Sequence, residues 1–190
     1  KKKLNVYKKN SIIRIIGMGG SILGTEAIYS FLRNKVKKKI IFINNLKSNL
    51  KKIKNEKKIT NIIVSKSGNT LETISNVNVL KKTIFITENK NSYLMSLAKK
   101  LKKEIINHNN FIGGRYSVLS EVGMLPAELM GLKEKNFKQL NNLIKNNNFI
   151  KSLTANVRNI IYFNKKKKFN SIILNYDETS DNLFKWYQQL

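Results

Sequence analysis

The chain has 190 residues, 41% of them hydrophobic, which is enough for one domain with a buried core and part of another. It contains no cysteine, which excludes a disulfide framework, a thiol nucleophile and a cysteine zinc site. No apolar run approaches the ~20 residues that span a bilayer, and no signal peptide is evident. We therefore expect a soluble cytoplasmic protein with no membrane partner.

The charge of the chain is strongly basic. Lysine and arginine number 37 and the acidic residues 11, which gives a formal net charge of +26. Such a charge is typical of proteins that bind nucleic acid. The lysines are nevertheless spread along the whole sequence, and no nucleic-acid motif accompanies them. A general lysine and asparagine bias explains this pattern, so we expect no specific nucleic-acid partner and keep nucleic-acid binding as an alternative.

After a basic lead-in without periodicity at 1–10, β-branched runs alternate with segments of helical spacing. The runs predict strands at 12–16, 39–43, 60–64, 83–86 and 104–106. The intervening segments predict helices at 23–32, 46–53, 70–80 and 92–101. This alternation is typical of an α/β fold with a doubly wound parallel sheet. In the order 2-1-3-4-5, the ligand crevice lies between strands 1 and 3.

The second part of the chain is mainly helical. The spacing predicts helices at 118–130, 137–144 and 149–163, then a strand at 169–174 and a helix from 179 to 190. We predict a first domain at 1–132, linker helices at 133–167 and the start of a second α/β domain at 168–190. Because the sequence stops inside a helical pattern without a cap, we expect it to be the first part of a longer chain.

Two loops combine glycines with hydroxyl side chains. Residues 17–21 read GMGGS after the first strand, and residues 64–73 read VSKSGNTLET after the third. A cluster of hydroxyls around a glycine at a strand-to-helix corner suits a phosphate, which the helix dipole also favours. An ordinary helix N-cap is the alternative, since serine, asparagine and threonine are also preferred there.

Neither of two familiar nucleotide sites matches these loops. The spacing of Gly19 and Gly24 fits a P-loop, but Thr25 and Glu26 replace its lysine and hydroxyl residue. A dinucleotide site would have a third glycine where Ile22 stands, and an acidic residue after the second strand. We therefore expect no nucleotide cofactor.

Three motifs resemble the glucose-6-phosphate isomerase family, and more generally the sugar isomerase (SIS) domain. They are GMGGS after strand 1, SKSGNTLET after strand 3 and GGRYSVLSEVGM after strand 5. The likeness runs from about residue 13 to residue 132 and continues more weakly to the end. GGRYS is specific to the isomerases, whereas SKSGNT is similar to loops in many SIS proteins. The resemblance implies a flavodoxin-like SIS domain at 1–132 and the start of a second SIS domain at 168–190.

The resemblance also implies a phosphate site in the SKSGNT loop. There the hydroxyls of Ser65, Ser67 and Thr70, with the amides of Lys66 and Gly68, would hold the phosphate group of a sugar phosphate.

Further roles are implied around this site. Gly20 and Ser21 would contact the substrate from the facing loop, and Gln189 of WYQQL would join them. Arg115 would lie over the sugar oxygens, where a planar guanidinium suits a cis-enediolate. Glu72 matches a glutamate that supports the family's catalytic histidine, so Arg115 and Glu72 are the catalytic candidates. A first-turn carboxylate that interacts with the helix dipole is the alternative for Glu72.

The activity implied by the resemblance is an aldose–ketose isomerisation. Glucose 6-phosphate and fructose 6-phosphate would interconvert through an enediol, in glycolysis and gluconeogenesis, without metal or cofactor, in a full-length homodimer. The family's glutamate base and ring-opening histidine fall beyond Leu190, so we expect this chain alone to be inactive. His108, the only histidine, is interpreted as a strand-end or loop residue. A non-catalytic SIS sugar-phosphate-binding module and a dual phosphoglucose/phosphomannose isomerase remain as alternatives.

Overall fold

Five apolar runs form one parallel sheet. The computed structural model describes residues 4–46, 58–77, 81–168, 170 and 172–190. Its strands are β1 (Ile12–Ile16), β2 (Lys39–Ile43), β3 (Ile59–Val64), β4 (Thr83–Glu88) and β5 (Glu104–His108). All four strand pairs are parallel, and the spatial order is β2-β1-β3-β4-β5. The predicted α/β fold and strand order are confirmed.

The three central strands are apolar on both faces, because both faces of the sheet are covered. Ile13 and Ile15 of β1 belong to one buried cluster, while Ile16 belongs to the other. The same alternation divides β3 and β4. Each fully buried isoleucine contributes about 1.5–3 kcal/mol relative to an exposed one, so these runs also hold the sheet in register.

The α-helices of the described residues are, in chain order, α1 (Asn5–Lys8), α2 (Leu23–Phe31), α3 (Leu71–Ser75), α4 (Tyr93–Lys100), α5 (Glu121–Met130), α6 (Glu134–Phe137), α7 (Asn141–Ile144), α8 (Asn147–Lys165) and α9 (Asp181–Gln189). Helix α5 packs Val122, Leu125 and Leu129 onto the first cluster, and α4 packs Leu94 and Ala98 onto the second.

Several predicted boundaries differ from the structure. The lead-in was predicted without structure, yet α1 forms one turn, held by the Lys8–Glu128 ion pair and by its packing beside α5. The helix predicted at 118–130 is instead a 3₁₀ segment, Gly114–Leu119, followed by α5, because Ser120 caps the α-helix. The predicted helix at 46–53 lies outside the described residues except for its first residue. Helix α3 ends at Ser75, and 78–80 also lie outside the described part.

The chain divides into two compact units. One comprises Lys1–Leu132 with Asp177–Leu190, and the other is Lys133–Tyr176. In this chain α9 therefore packs with the sheet-bearing unit, mainly against α2. The assignment of 168–190 to a second SIS domain stays a prediction.

The second unit is mainly helical up to Lys165, and its described residues at 168, 170 and 172–176 are not in a helix. Its main element is α8, whose first turn is capped by the Asn146 side chain. The large apolar side chains of α8 are exposed, by 40% at Phe149 and by as much as 58% at Ile160. The strand predicted at 169–174 does not form at 170 or 172–174, where Ile172 is 86% exposed. A strand needs a hydrogen-bonded neighbour, and no described strand lies beside these residues.

Among the helices of the described residues, none has both the length and the hydrophobicity required to cross a bilayer.

Candidate functional site

The two glycine-and-hydroxyl loops follow adjacent strands. Because β1 and β3 are paired in parallel, their carboxyl ends lie side by side at the point where the strand order reverses. After β1, a 3₁₀ turn forms over Gly19–Ser21, and the Ser21 amide donates to the Met18 carbonyl at 3.1 Å. The approach of the two loops is close, since a Cβ on Gly17 would lie 3.1 Å from the Val64 carbonyl oxygen. The two loops of the predicted crevice therefore lie side by side, and the crevice itself stays a prediction.

The hydroxyls of the loop at 65–70 bond to one another and to the loop backbone. Thr70 Oγ1 lies 3.0 Å from Ser65 Oγ and 3.4 Å from Ser67 Oγ. The Gly68 amide donates to Ser65 Oγ at 3.1 Å, and the Asn69 amide donates to Ser67 Oγ at 3.2 Å. Thr70 stands at the N-cap of α3, but its side chain makes no capping bond. The capping alternative therefore does not describe what these hydroxyls do.

Within this cluster the three hydroxyls differ in accessibility. Ser65 is 1% exposed and lies under the loop, Ser67 is exposed, and Thr70 is half-buried between them. Ser65 therefore orders the loop from a buried position, while Ser67 is accessible to solvent and Thr70 is partly so. The Gly68 amide, a predicted phosphate donor, is engaged with Ser65, and its role toward phosphate stays a prediction.

Gly68 is required by both its conformation and its surroundings. Its φ is +68°, and a Cβ there would lie 2.2 Å from Ser92 Oγ. Ser92 is the N-cap of α4, whose first turn also donates to the loop: the Leu94 amide bonds the Gly68 carbonyl at 3.0 Å, and the Tyr93 amide bonds Asn69 Oδ1 at 2.8 Å. The loop is therefore fixed on the start of α4.

The Lys66 side chain connects three strand ends. Its Nζ donates to the carbonyls of Asn110 and Ile112 after β5, at 3.1 and 2.8 Å, and lies 3.3 Å from Glu88 Oε1 at the end of β4. Glu88 also pairs with Lys90. The hydrogen bond from Lys90, followed by that from Lys66, lowers the pKa of the Glu88 carboxyl although burial opposes this. The sequence predicts a role for the Lys66 amide in the site, but its local pattern gives no sign of this bridging role of the side chain.

The segment with Arg115 packs directly against the loop after β1. A Cβ on Gly20 would lie 2.5 Å from both the Arg115 amide nitrogen and the Gly114 carbonyl carbon, so only glycine permits this contact. Arg115 itself is exposed. Among the described residues, no ion pair or hydrogen bond involves its guanidinium. The structure thus brings Gly20, Ser21 and Arg115 to one edge of the sheet, with the charge of Arg115 available to a ligand.

Helix α9 brings Gln189 to the same edge. The Gln189 amide nitrogen lies 2.6 Å from where a Cβ of Gly19 would stand. Its Oε1 is buried and has no hydrogen-bond partner in the described part of the chain. A buried acceptor without a partner is costly, so this oxygen suits a donor supplied by a ligand.

Glu72 and His108 take no part in a shared cluster. Glu72 lies in the first turn of α3, half-buried, and its carboxylate has no described partner. His108 ends β5 and is buried, with Nδ1 bonded to Glu121 and Nε2 3.2 Å from the Ile112 carbonyl. Both ring nitrogens of His108 are therefore engaged inside the fold.

A buried carboxyl on α2 was missed by the sequence argument. Glu26 is 6% exposed and accepts a hydrogen bond from the Asn44 side chain at 2.8 Å. Burial raises the pKa of the Glu26 carboxyl, and the opposing effects of Lys185 and Asn44 compensate only in part. Helical spacing alone does not reveal this, because it depends on α9 covering α2.

The family model for phosphoglucose isomerase matches residues 5–190, almost the whole chain. The chain belongs to the phosphoglucose isomerase family. The described site residues lie within the matched region. The described residues contain no cluster that could hold a metal ion, that is, no group of three or more histidine, cysteine, aspartate or glutamate side chains.

Curated relatives that match almost the whole chain are named glucose-6-phosphate isomerase. The chain is 34% identical to the glucose-6-phosphate isomerase of Methanocaldococcus jannaschii, over 100% of this chain and 51% of the relative. It is 31% identical to that of Acholeplasma laidlawii, over 99% of this chain and 51% of the relative. The chain therefore spans about half the length of these phosphoglucose isomerase relatives.

Solved structures agree with the fold. A hypothetical protein from Thermus thermophilus superposes with a TM-score of 0.75 at 20% identity, over 99% of this chain and 51% of that one. A glucose-6-phosphate isomerase from Chlamydia trachomatis gives 0.55 at 26% identity, over 66% of this chain and 28% of that one.

We predict that Gly68→Ala lowers the free energy of unfolding by about 2–4 kcal/mol, since it combines a left-handed backbone with a collision at Ser92. Gly114→Ala is the control, because a Cβ there meets nothing within 4 Å. Chemical denaturation of both variants measures the difference. Equal stability of the two would show that the loop relaxes without cost.

We predict opposite effects for two buried carboxyls: at neutral pH Glu26→Gln stabilises the fold and Glu88→Gln destabilises it. A pKa raised by folding means that stability falls as pH rises through it, whereas a lowered pKa means that stability is lost as pH falls through it. In melts between pH 3 and 7, both variants should approach the wild type at the acid end. Shifts of the same sign at pH 7 would contradict the assigned environments.

Proposed function

We propose that this chain is the sugar-phosphate-binding part of a glucose-6-phosphate isomerase. The observation that carries the proposal is the meeting, at one edge of the sheet, of the hydroxyl loop at 65–70, the glycine loop at 17–21, Arg115 and Gln189. Membership of the phosphoglucose isomerase family supports the choice of substrate.

In this proposal the phosphate lies against Ser67 and Thr70, with the backbone of Lys66 and Gly68 beneath it. Hydroxyls and amides bind the phosphate by hydrogen bonds, and those to a charged group are worth about 1.5–3 kcal/mol each. Ser65 acts from below by fixing Thr70 and the Gly68 amide. The sugar then extends toward Gly20, Ser21 and Gln189.

Arg115 is the residue of this chain that acts on the reacting atoms. Isomerisation removes a proton from C2 of the open-chain aldose and returns it to C1, through an enediolate that carries negative charge on oxygen. An exposed, unpaired guanidinium beside the crevice can bind both enediolate oxygens. Glu72 serves as a support at the edge of the same loop. The proton transfer also needs a positioned base, and we assign that role to no described residue of this chain.

The alternative is a non-catalytic SIS module that only binds a sugar phosphate. It is favoured by one observation, since no carboxylate among the described residues forms an ion pair with Arg115. A dual phosphoglucose/phosphomannose isomerase differs only in its tolerance at C2, which mannose 6-phosphate tests directly.

Calorimetric titration of the 190-residue chain tests the proposal. Glucose 6-phosphate and fructose 6-phosphate should bind, while glucose should not, and inorganic phosphate should bind more weakly. Equal affinity for phosphate and glucose 6-phosphate would leave the sugar part of the proposal without support. Incubation of the chain with glucose 6-phosphate should give no fructose 6-phosphate, and turnover would show that a residue of this chain acts as the base.

We predict that the double substitution Ser67→Ala, Thr70→Ala weakens glucose 6-phosphate binding at least about 100-fold, because two hydrogen bonds to a charged phosphate are lost. Ser75→Ala is the control, since Ser75 is exposed on α3 and bonds only the Leu71 carbonyl of its own helix. Melting temperatures verify that each variant folds. Unchanged affinity in the double variant would place the phosphate elsewhere.

We predict that Arg115→Ala loses more affinity for a hydroxamate analogue of the enediolate than for glucose 6-phosphate, since catalysis requires stronger binding of the transition state. Arg115→Lys should recover little of it, because an ammonium lacks the planar pair of donors. Equal losses for both ligands would favour the non-catalytic module.

A further inference from the structure

Helix α9 presents three polar side chains at i, i+4 and i+7, which places them on one face. Asn182 Nδ2 donates to Ser30 Oγ on α2 at 2.6 Å. Trp186 Nε1 donates to the Arg115 carbonyl at 2.8 Å. Gln189 lies against Gly19. One helix face thus contacts α2, the Arg115 segment and the loop after β1.

The backbone of Arg115 is held from two sides. Its amide nitrogen lies against Gly20, and its carbonyl accepts the indole N–H of Trp186. The guanidinium itself has no described partner. The direction in which the Arg115 side chain leaves the backbone is therefore set by the contacts of its two peptide groups. Of these contacts, the one with Trp186 is a hydrogen bond.

We propose that Trp186 is a positioning residue for Arg115: its indole N–H fixes the peptide from which the guanidinium reaches a sugar phosphate. The ligand in this inference rests on the proposed function, whereas the effect on the Arg115 backbone does not. Because an indole donates but does not accept, this bond satisfies the whole hydrogen-bonding capacity of the Trp186 side chain. The coupling is reciprocal, so a ligand that needs this position of Arg115 strengthens the indole bond by the same factor.

A simpler role for Trp186 is to anchor α9 on the first unit. Asn182 separates the two roles, because it anchors the same helix through Ser30 and is four residues away from Trp186. Tyr187 provides a further control, since it is 54% exposed and its hydroxyl has no described partner.

The experiment compares the wild type with Trp186→Phe, Asn182→Ala and Tyr187→Phe by ¹⁵N NMR and by titration. The Tyr116 and Ser120 amides, which bond the Gly113 and Ser117 carbonyls at 2.9 Å, report on the Arg115 segment by hydrogen exchange. Trp186 is the only tryptophan, so a single indole N–H resonance reports on its bond.

Trp186→Phe should speed exchange at these two amides about 2- to 10-fold and weaken glucose 6-phosphate binding by a similar factor, the range expected for one hydrogen bond. Asn182→Ala and Tyr187→Phe should leave the amide exchange rates and the affinity for glucose 6-phosphate near those of the wild type. In the wild type, glucose 6-phosphate should slow exchange of the indole N–H by that same factor.

The proposal is overturned if Trp186→Phe behaves like Tyr187→Phe, or if Asn182→Ala reproduces its effects, since Trp186 would then only anchor the helix. If glucose 6-phosphate does not bind the wild type, the proposed function fails instead. In that case the exchange rates of the Tyr116 and Ser120 amides still test whether Trp186 positions Arg115. A comparison of these rates in the wild type and in Trp186→Phe measures the order of the Arg115 backbone with and without the indole N–H.

Discussion

The candidate site depends on two contacts in which the backbone of a glycine packs directly against another segment of the chain. Gly20 lies against the Gly114–Arg115 peptide, and Gly68 lies against Ser92 at the start of α4. Since a Cβ at either position would collide, van der Waals contact holds the loop after β1 against the segment after β5, and the loop after β3 against the start of α4. This rigidity lets short hydroxyl side chains form a cluster of defined geometry, and it explains why the functional groups come from the ends of several strands.

The strongly basic composition contributes little to this geometry. Lys66, the lysine within the hydroxyl loop at 65–70, directs its ammonium to two carbonyls and Glu88. It therefore acts as a connection between strand ends, and its charge is balanced within the fold. The candidate anion site uses hydroxyls, amides and one guanidinium instead. Such a site gains selectivity from direction, whereas lysines scattered over a surface attract any anion and lose that attraction in salt.

The fold was predictable because its signal is local. Runs such as 12–16 and 39–43 are apolar and β-branched along most of their length, and the two predicted strands have the observed bounds. The loops of the site were also predictable, since glycine and hydroxyl residues mark them. The contacts of Lys66, Glu88 and Trp186 were not, because they join residues far apart in sequence. The strand predicted at 169–174 failed for the same reason: its residues suit a strand, but a strand also needs a partner, which local sequence does not specify.

Helix α9 connects the groups of the proposed binding site. In the proposed function, a phosphate at 65–70 would lie away from C1 and C2 of the sugar, so its binding energy would orient the sugar rather than react with it. Gln189 ends α9 against Gly19, at the mouth of the predicted crevice. The same helix bonds the Arg115 carbonyl through Trp186. Helix α9 therefore links the glycine loop after β1 to the backbone that carries the Arg115 guanidinium.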